Sequence, residues 1–155
     1  MFTRSQILLK IKTMNNNTSL IESLGSRGEK HLAANMQPSE KIVVKLKAPW
    51  GQAFVLTDRH IYIIKWGYMT GNTFGGRCTA FDYRNVVGIE IKKNLITGTL
   101  EVISAATQNA NLGYWAQKQS SAWKSNYAIP FTTQKFNLFQ QAVNIARGLI
   151  NKSHS

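Results

Sequence analysis

Asp58, Arg59 and His60 stand in a row near the middle of the chain, a carboxylate, a guanidinium and an imidazole. Together they could run acid–base chemistry, provided that a nucleophile or a second acid faces them across a cleft. The seven acidic residues are Glu22, Glu29, Glu40, Asp58, Asp82, Glu90 and Glu101. They fall at helices, strand edges or turns, and none pairs with another at catalytic spacing. His31, His60 and His154 lie in unrelated contexts with no His-x-x-x-His pair, and Cys78 is the single thiol. Neither a thiolate metal cluster nor an intrachain disulfide can form from that set. Gly75-Gly76-Arg77 lacks the Gly-Lys-Ser/Thr continuation of a phosphate loop. Turn closure accounts for Asp58, and the start of a strand accounts for His60. The expectation is a non-enzyme with no cofactor, no metal and no small-molecule substrate.

Charge interleaved with aromatic rings is the second chemistry. Nineteen Lys and Arg face seven Asp and Glu, a net charge of +12, and no acidic residue follows Glu101. Such a field attracts nucleic acid, anionic headgroups or acidic protein faces without choosing among them. Lys45, Lys47, Trp50, Arg59, Lys65, Trp66 and Tyr68 are the candidates for contact with a ligand or membrane, because cations meet phosphate while Trp and Tyr favour the headgroup level. Phe74, Tyr114, Trp115 and Trp123 are candidates for interaction loops. The plain alternative is that these rings fold back as loop anchors. The Gly67–Arg77 loop, rich in glycine and aromatics, is expected to be mobile in the isolated protein and ordered on contact; in the alternative, its rings pack down from the start.

Those residues need elements to hold them. Ala53–Leu56 and Ile61–Ile64 are β-branched and aromatic runs around a Thr-Asp-Arg corner, which reads as a hairpin of strands Gln52–Thr57 and His60–Trp66. Before it, Ile42, Val44 and Leu46 alternate with Val43, Lys45 and Lys47, a strand with one buried and one wet face. Ala48-Pro49-Trp50-Gly51 is the connecting loop. Cys78–Tyr83, Val86–Lys93 and Thr99–Ala105 are further strands, with Asn94–Gly98 as a turn. Residues 106–125 read as a long polar loop, and Asn126–Pro130 as an edge strand, since proline lacks the amide donor. Phe136, Phe139, Val143, Ala146 and Ile150 form one helical stripe, with Thr132 or Thr133 as N-cap. Residues 18–36 read as two short helices broken around Gly25-Ser26-Arg27-Gly28, the first capped by Thr18 or Ser19 with Glu22. Leu20, Leu24, Leu32 and Met36 are their inward positions. A helical lead, 1–37, and a domain, 38–152, follow. Residues 1–13 read as disordered or as a mis-assigned start before Met14, with a short basic amphipathic segment as the other reading. The apolar runs are too short to span a bilayer or serve as a signal peptide, so a cytoplasmic location is expected.

Four stretches carry a family resemblance: Glu40-Lys-Ile-Val-Val, Phe54-Val-Leu-Thr-Asp-Arg-His-Ile-Tyr-Ile-Ile64, Phe81-Asp-Tyr-Arg-Asn-Val-Val-Gly-Ile-Glu90, and the Phe136–Ile150 helix. In that order they resemble bacterial pleckstrin-homology-like domains, which are close in shape to GRAM domains. The resemblance covers Glu40 to Ile150 and implies a mainly β fold: a bent antiparallel barrel or sandwich of about seven strands, plugged by the C-terminal helix. It also implies a non-catalytic binding or scaffolding module. The leading expectation is a protein partner or self-association through open strand edges. Peripheral binding to an anionic membrane surface is the alternative, and nucleic-acid binding ranks third.

Overall fold

The structure, a computed structural model, describes residues 3–7, 19–67, 70, 75–105 and 125–155. It is mainly β. Among the described residues, seven strands form two antiparallel sheets: β1 (Ile42–Ala48), β2 (Gln52–Thr57), β3 (His60–Lys65) and β4 (Arg77–Asp82) in one, and β5 (Val86–Lys93), β6 (Thr97–Ser104) and β7 (Ala128–Thr132) in the other. The sheets do not close into a barrel. Helix α1 (Gly25–Asn35) precedes the strands and α2 (Phe136–Ser153) follows them.

Strand parity divides the apolar residues into two cores on opposite faces of the first sheet. Phe54, Leu56, Ile61, Ile63 and Phe81 turn inward, toward the second sheet and α2. Ala53, Val55, Tyr62 and Ile64 turn outward, where Leu24, Leu32 and Trp66 cover them. The stripe on α2 fills the inner core: Phe139, Val143, Ala146 and Ile150 are buried, with Phe136 against them. Phe139 stacks on Phe131 with centroids 4.4 Å apart and lies 6.5 Å from Phe54, so one ring joins both sheets.

Several local expectations are corrected. Gly25 opens α1 instead of breaking it, because its φ of +75° is a left-handed value that glycine reaches without strain. The helix then runs through Gly28, where a Cβ would stand 2.7 Å from both Leu24 Cβ and the Trp66 ring. Only the second expected helix forms, starting at Gly25; residues 19–24 are not helical. Ser19 caps no helix; its hydroxyl bonds Ile21, and the segment pairs with β1 through Leu20 and Glu22. A bulge between Ile42 and Val44 turns Ile42 toward the outer core, while Val43 joins the inner one. Asp58 does not close the β2–β3 turn. Thr57 Oγ1 does, accepting from the Arg59 and His60 amides at 3.1 and 2.9 Å. Asp58 instead accepts from the Lys41 amide at 2.9 Å and pairs with Arg4. β7 is an edge strand that continues through Pro130 to Thr132, and a 3-10 turn, Thr133–Lys135, leads into α2 with no side-chain cap. The polar stretch 106–124 lies outside the described residues.

Candidate functional site

The first sheet sets the ends of the molecule. Trp50 and Gly51 take φ of 62° and 73° at the β1–β2 turn. The Gly51 carbonyl accepts from the Trp66 and Gly67 amides at 2.8 and 3.2 Å, so the start of the β3–β4 connection lies against that turn. Trp50 is left 62% exposed, and Lys47 beside it is also exposed. A left-handed tryptophan is strained by about 1–3 kcal/mol, a cost that tends to be kept where a side chain has a task.

The β5–β6 turn is the other projecting element. Asn94 Oδ1 accepts from the Ile96 and Thr97 amides at 2.9 and 2.7 Å, and Asn94 N donates to the Thr97 carbonyl at 2.8 Å. This rigid Asx-type closure leaves Leu95 98% and Ile96 78% exposed. Lys92 and Lys93 precede them; Lys93 Nζ sits 4.5 Å over the Phe136 ring, and Lys92 lies 3.8 Å from Glu90. A short relay links this turn to the first. Thr133 N donates to the Ile96 carbonyl at 3.4 Å. Two residues on, Lys135 Nζ donates to the Lys47 carbonyl at 2.5 Å and pairs with Glu22 at 2.6 Å. One basic end thus carries Lys47, Trp50, Lys92, Lys93, Leu95 and Ile96. Sequence reading missed Leu95 and Ile96, although two large aliphatics at the centre of a turn contradict ordinary turn composition.

The expected candidates do not assemble on one surface. Lys45 is pinned by Glu29 at 2.8 Å. Arg59 lies at the opposite end of β2, about 20 Å from Trp50 at strand rise, with its guanidinium on Gln37. Lys65 is 1% exposed, turned inward by its parity with Ile61 and Ile63. Burial first, and the Arg77 charge second, bring its ammonium down to about 6. Trp66 is buried under α1 and is no surface anchor; Arg27 donates to its carbonyl at 3.0 Å. Tyr68, Phe74, Tyr114, Trp115 and Trp123 lie outside the described residues, as does the expected mobility of residues 68–69 and 71–74.

A polar cluster on the outer face also escaped the sequence. The Glu40 carboxylate, wholly enclosed, lies 2.5 Å from His60 Nδ1 and accepts from Tyr62 OH at 2.8 Å. His60 and Tyr62 sit two apart on β3 and share a face, which is the only local signal; Glu40 comes from the turn before β1. Burial and the Glu40 carboxylate push the Tyr62 phenol up. Cys78, on the same face, has its thiol pushed up to about 11 by burial and is a poor nucleophile. The cluster clamps the α1–β1 connection to the sheet. Among the described residues, no three His, Cys, Asp or Glu converge as a metal set, and no helix is long and apolar enough to cross a membrane. In comparisons with protein-family models, curated proteins and solved structures, nothing matches the chain.

Proposed function

We propose that this protein is a non-catalytic, pleckstrin-homology-like binding module that docks peripherally on an anionic membrane surface, at the cytoplasmic face. The order of seven strands and a core-filling helix supports the family reading. The observation that carries the function is the β5–β6 turn, where Leu95 and Ile96 project into solvent from a hydrogen-bonded closure with Lys92 and Lys93 behind them. A fully buried aliphatic side chain gains about 1.5–3 kcal/mol over an exposed one, and each cation near a charged leaflet adds about 1 kcal/mol. Two weak signals of this size give reversible binding, and Trp50 with Lys47 at the same end supplies a third. A protein partner taken by strand addition is the second reading. Its support is narrower, because Leu20 and Glu22 pair with part of the β1 edge and Arg147 donates to the Ile89 carbonyl on β5 at 3.0 Å. Among the described residues, the edges left for it are β4 and β7.

The test is sedimentation of the full chain with phosphatidylglycerol vesicles and with neutral vesicles over a salt series, with duplex and single-stranded DNA as competitors. Expected is recovery on anionic vesicles only, falling with salt, and reduced about tenfold or more by the Leu95→Ser/Ile96→Ser double variant. Equal recovery on neutral vesicles, or full binding by the double variant, refutes the reading. Displacement by DNA at equal charge favours nucleic acid instead.

A further inference from the structure

Part of the β1 edge is filled by the chain itself. Residues Leu20–Glu22 lie beside it in parallel, with Ile21 opposite Lys45. The Lys45 amide donates to the Leu20 carbonyl at 2.8 Å, and the Glu22 amide donates to the Lys45 carbonyl at 2.7 Å. A parallel ladder in that register would next join the Lys47 amide to the Glu22 carbonyl. The side chain takes that place instead: Glu22 Oε1 accepts from the Lys47 amide at 2.9 Å and from Lys135 Nζ at 2.6 Å. Lys135 also donates to the Lys47 carbonyl at 2.5 Å, so one ammonium, set in the 3-10 turn before α2, closes the rung. Leu20 is 3% exposed and packs in the inner core, whereas Ile21 is 52% exposed. The edge thus reads three residues in three ways: an aliphatic side chain buried, the next one facing solvent, and a carboxylate held by a cation and a backbone amide.

The hold on this segment is short. Gly25, at a φ of +75°, turns the chain away three residues after Glu22. Leu24 is seated in the outer core, so Leu20–Glu22 can leave β1 while α1 stays docked. We propose that the β1 edge is a docking groove for an extended acidic peptide of another protein, built around an aliphatic-x-Glu core, and that Leu20–Glu22 is the tethered segment this partner displaces. The partner's aliphatic side chain takes the inner-core position of Leu20, and its carboxylate takes Lys135 Nζ and the Lys47 amide. Charge selects the occupant. The chain carries +12, so an acidic peptide is drawn to this edge, whereas a second copy offering the same segment is repelled. Strand addition is thereby placed on β1, by displacement, and it does not rest on membrane docking through the Leu95–Ile96 turn.

The probe is a synthetic peptide of residues 19–23, Ser-Leu-Ile-Glu-Ser, titrated into the isotope-labelled full chain, with affinity read from the NMR shifts of the Lys45 and Lys47 amides. A resident segment lowers apparent affinity by the fraction of molecules whose groove is open. Disengaging it with Leu20→Ser/Glu22→Ser should therefore tighten the probe about tenfold or more over wild type. Glu22→Gln alone leaves Leu20 seated and should tighten the probe about threefold; it decides the matter where the double variant loses its circular dichroism spectrum. In either background, Gln for the probe's Glu, or Lys135→Met in the protein, should weaken binding about ten- to a hundredfold, the size of a hydrogen bond between charged groups. Absence of shifts at Lys45 and Lys47 in both variants, equal binding of the Glu and Gln probes, or no tightening over wild type overturns the proposal. Dimerisation of the wild type at sedimentation equilibrium, abolished in the double variant, assigns the groove to a second copy and overturns the acidic partner.

Discussion

Replacing Lys65 with methionine should make this protein more stable, and the gain should depend on pH. In the unfolded chain the amine titrates near 10.5, whereas burial among the inner-core residues brings it to about 6. Between those values folding expels a proton, so the unfolded state binds more protons and stability rises with pH. One proton corresponds to about 1.4 kcal/mol per pH unit. Three units separate pH 7.5 from the ordinary value, so neutralising the amine costs the wild type ~4 kcal/mol at that pH. Methionine keeps the length of the stem and forfeits the amine's hydrogen bonding, worth ~1 kcal/mol. The variant should gain ~3 kcal/mol at pH 7.5, with the advantage shrinking as pH rises and the two stabilities crossing near pH ~10. Urea denaturation at half-unit steps from pH 7 to 10 reads this directly. Groups other than Lys65 cancel in the difference between the two proteins. A difference that stays flat with pH, or a variant weaker than wild type at pH 7.5, would refute the burial argument.

Three further outcomes are expected. Phe139→Ala removes the ring that joins both sheets and should cost about 3–5 kcal/mol, seen as a large fall in the urea midpoint. Gly28→Ala places a methyl 2.7 Å from Leu24 Cβ and the Trp66 ring, so overpacking of about 1–3 kcal/mol should outweigh the helix propensity gained; thermal denaturation with a Trp66 fluorescence readout checks the sign. Trp50→Gly relaxes a left-handed residue and should raise stability by about 1 kcal/mol while weakening recovery on anionic vesicles; loss of stability would show that the exposed ring packs usefully on the fold.

Much of the architecture was legible because period 2 is a strong local signal. Strands β2, β3 and β5 and the α2 stripe follow from residue type and spacing alone. The candidate surface was less legible, for reasons that differ by residue. Lys65 has the parity of Ile61 and Ile63, so the pattern pointed inward, and only its charge argued for the surface. Trp66 is covered by the helix Gly25–Asn35, far earlier in the chain, which no local window contains. Glu40 meets His60 and Tyr62 through a connection whose path depends on α1 docking. Ile42 changes faces at a bulge that leaves no mark in composition. Leu95 and Ile96 were readable in principle, as residues wrong for their turn.

The first sheet, dressed on both faces, also determines how the molecule comes apart. The outer cluster around Leu24, Leu32, Tyr62 and Trp66 is small, and the inner one extends through both sheets and α2. Undocking α1 strips one face and leaves the inner packing in place, so two opening free energies exist in one chain. Amides of α1 should exchange with deuterium through the smaller opening, while those of β2 and the middle of α2 wait for global unfolding. Glu40 and Arg27 fasten the outer layer at its two ends, the first to Tyr62 and the second to the Trp66 carbonyl. Releasing either should speed exchange across the whole helix while leaving the slowest protons of the protein unchanged.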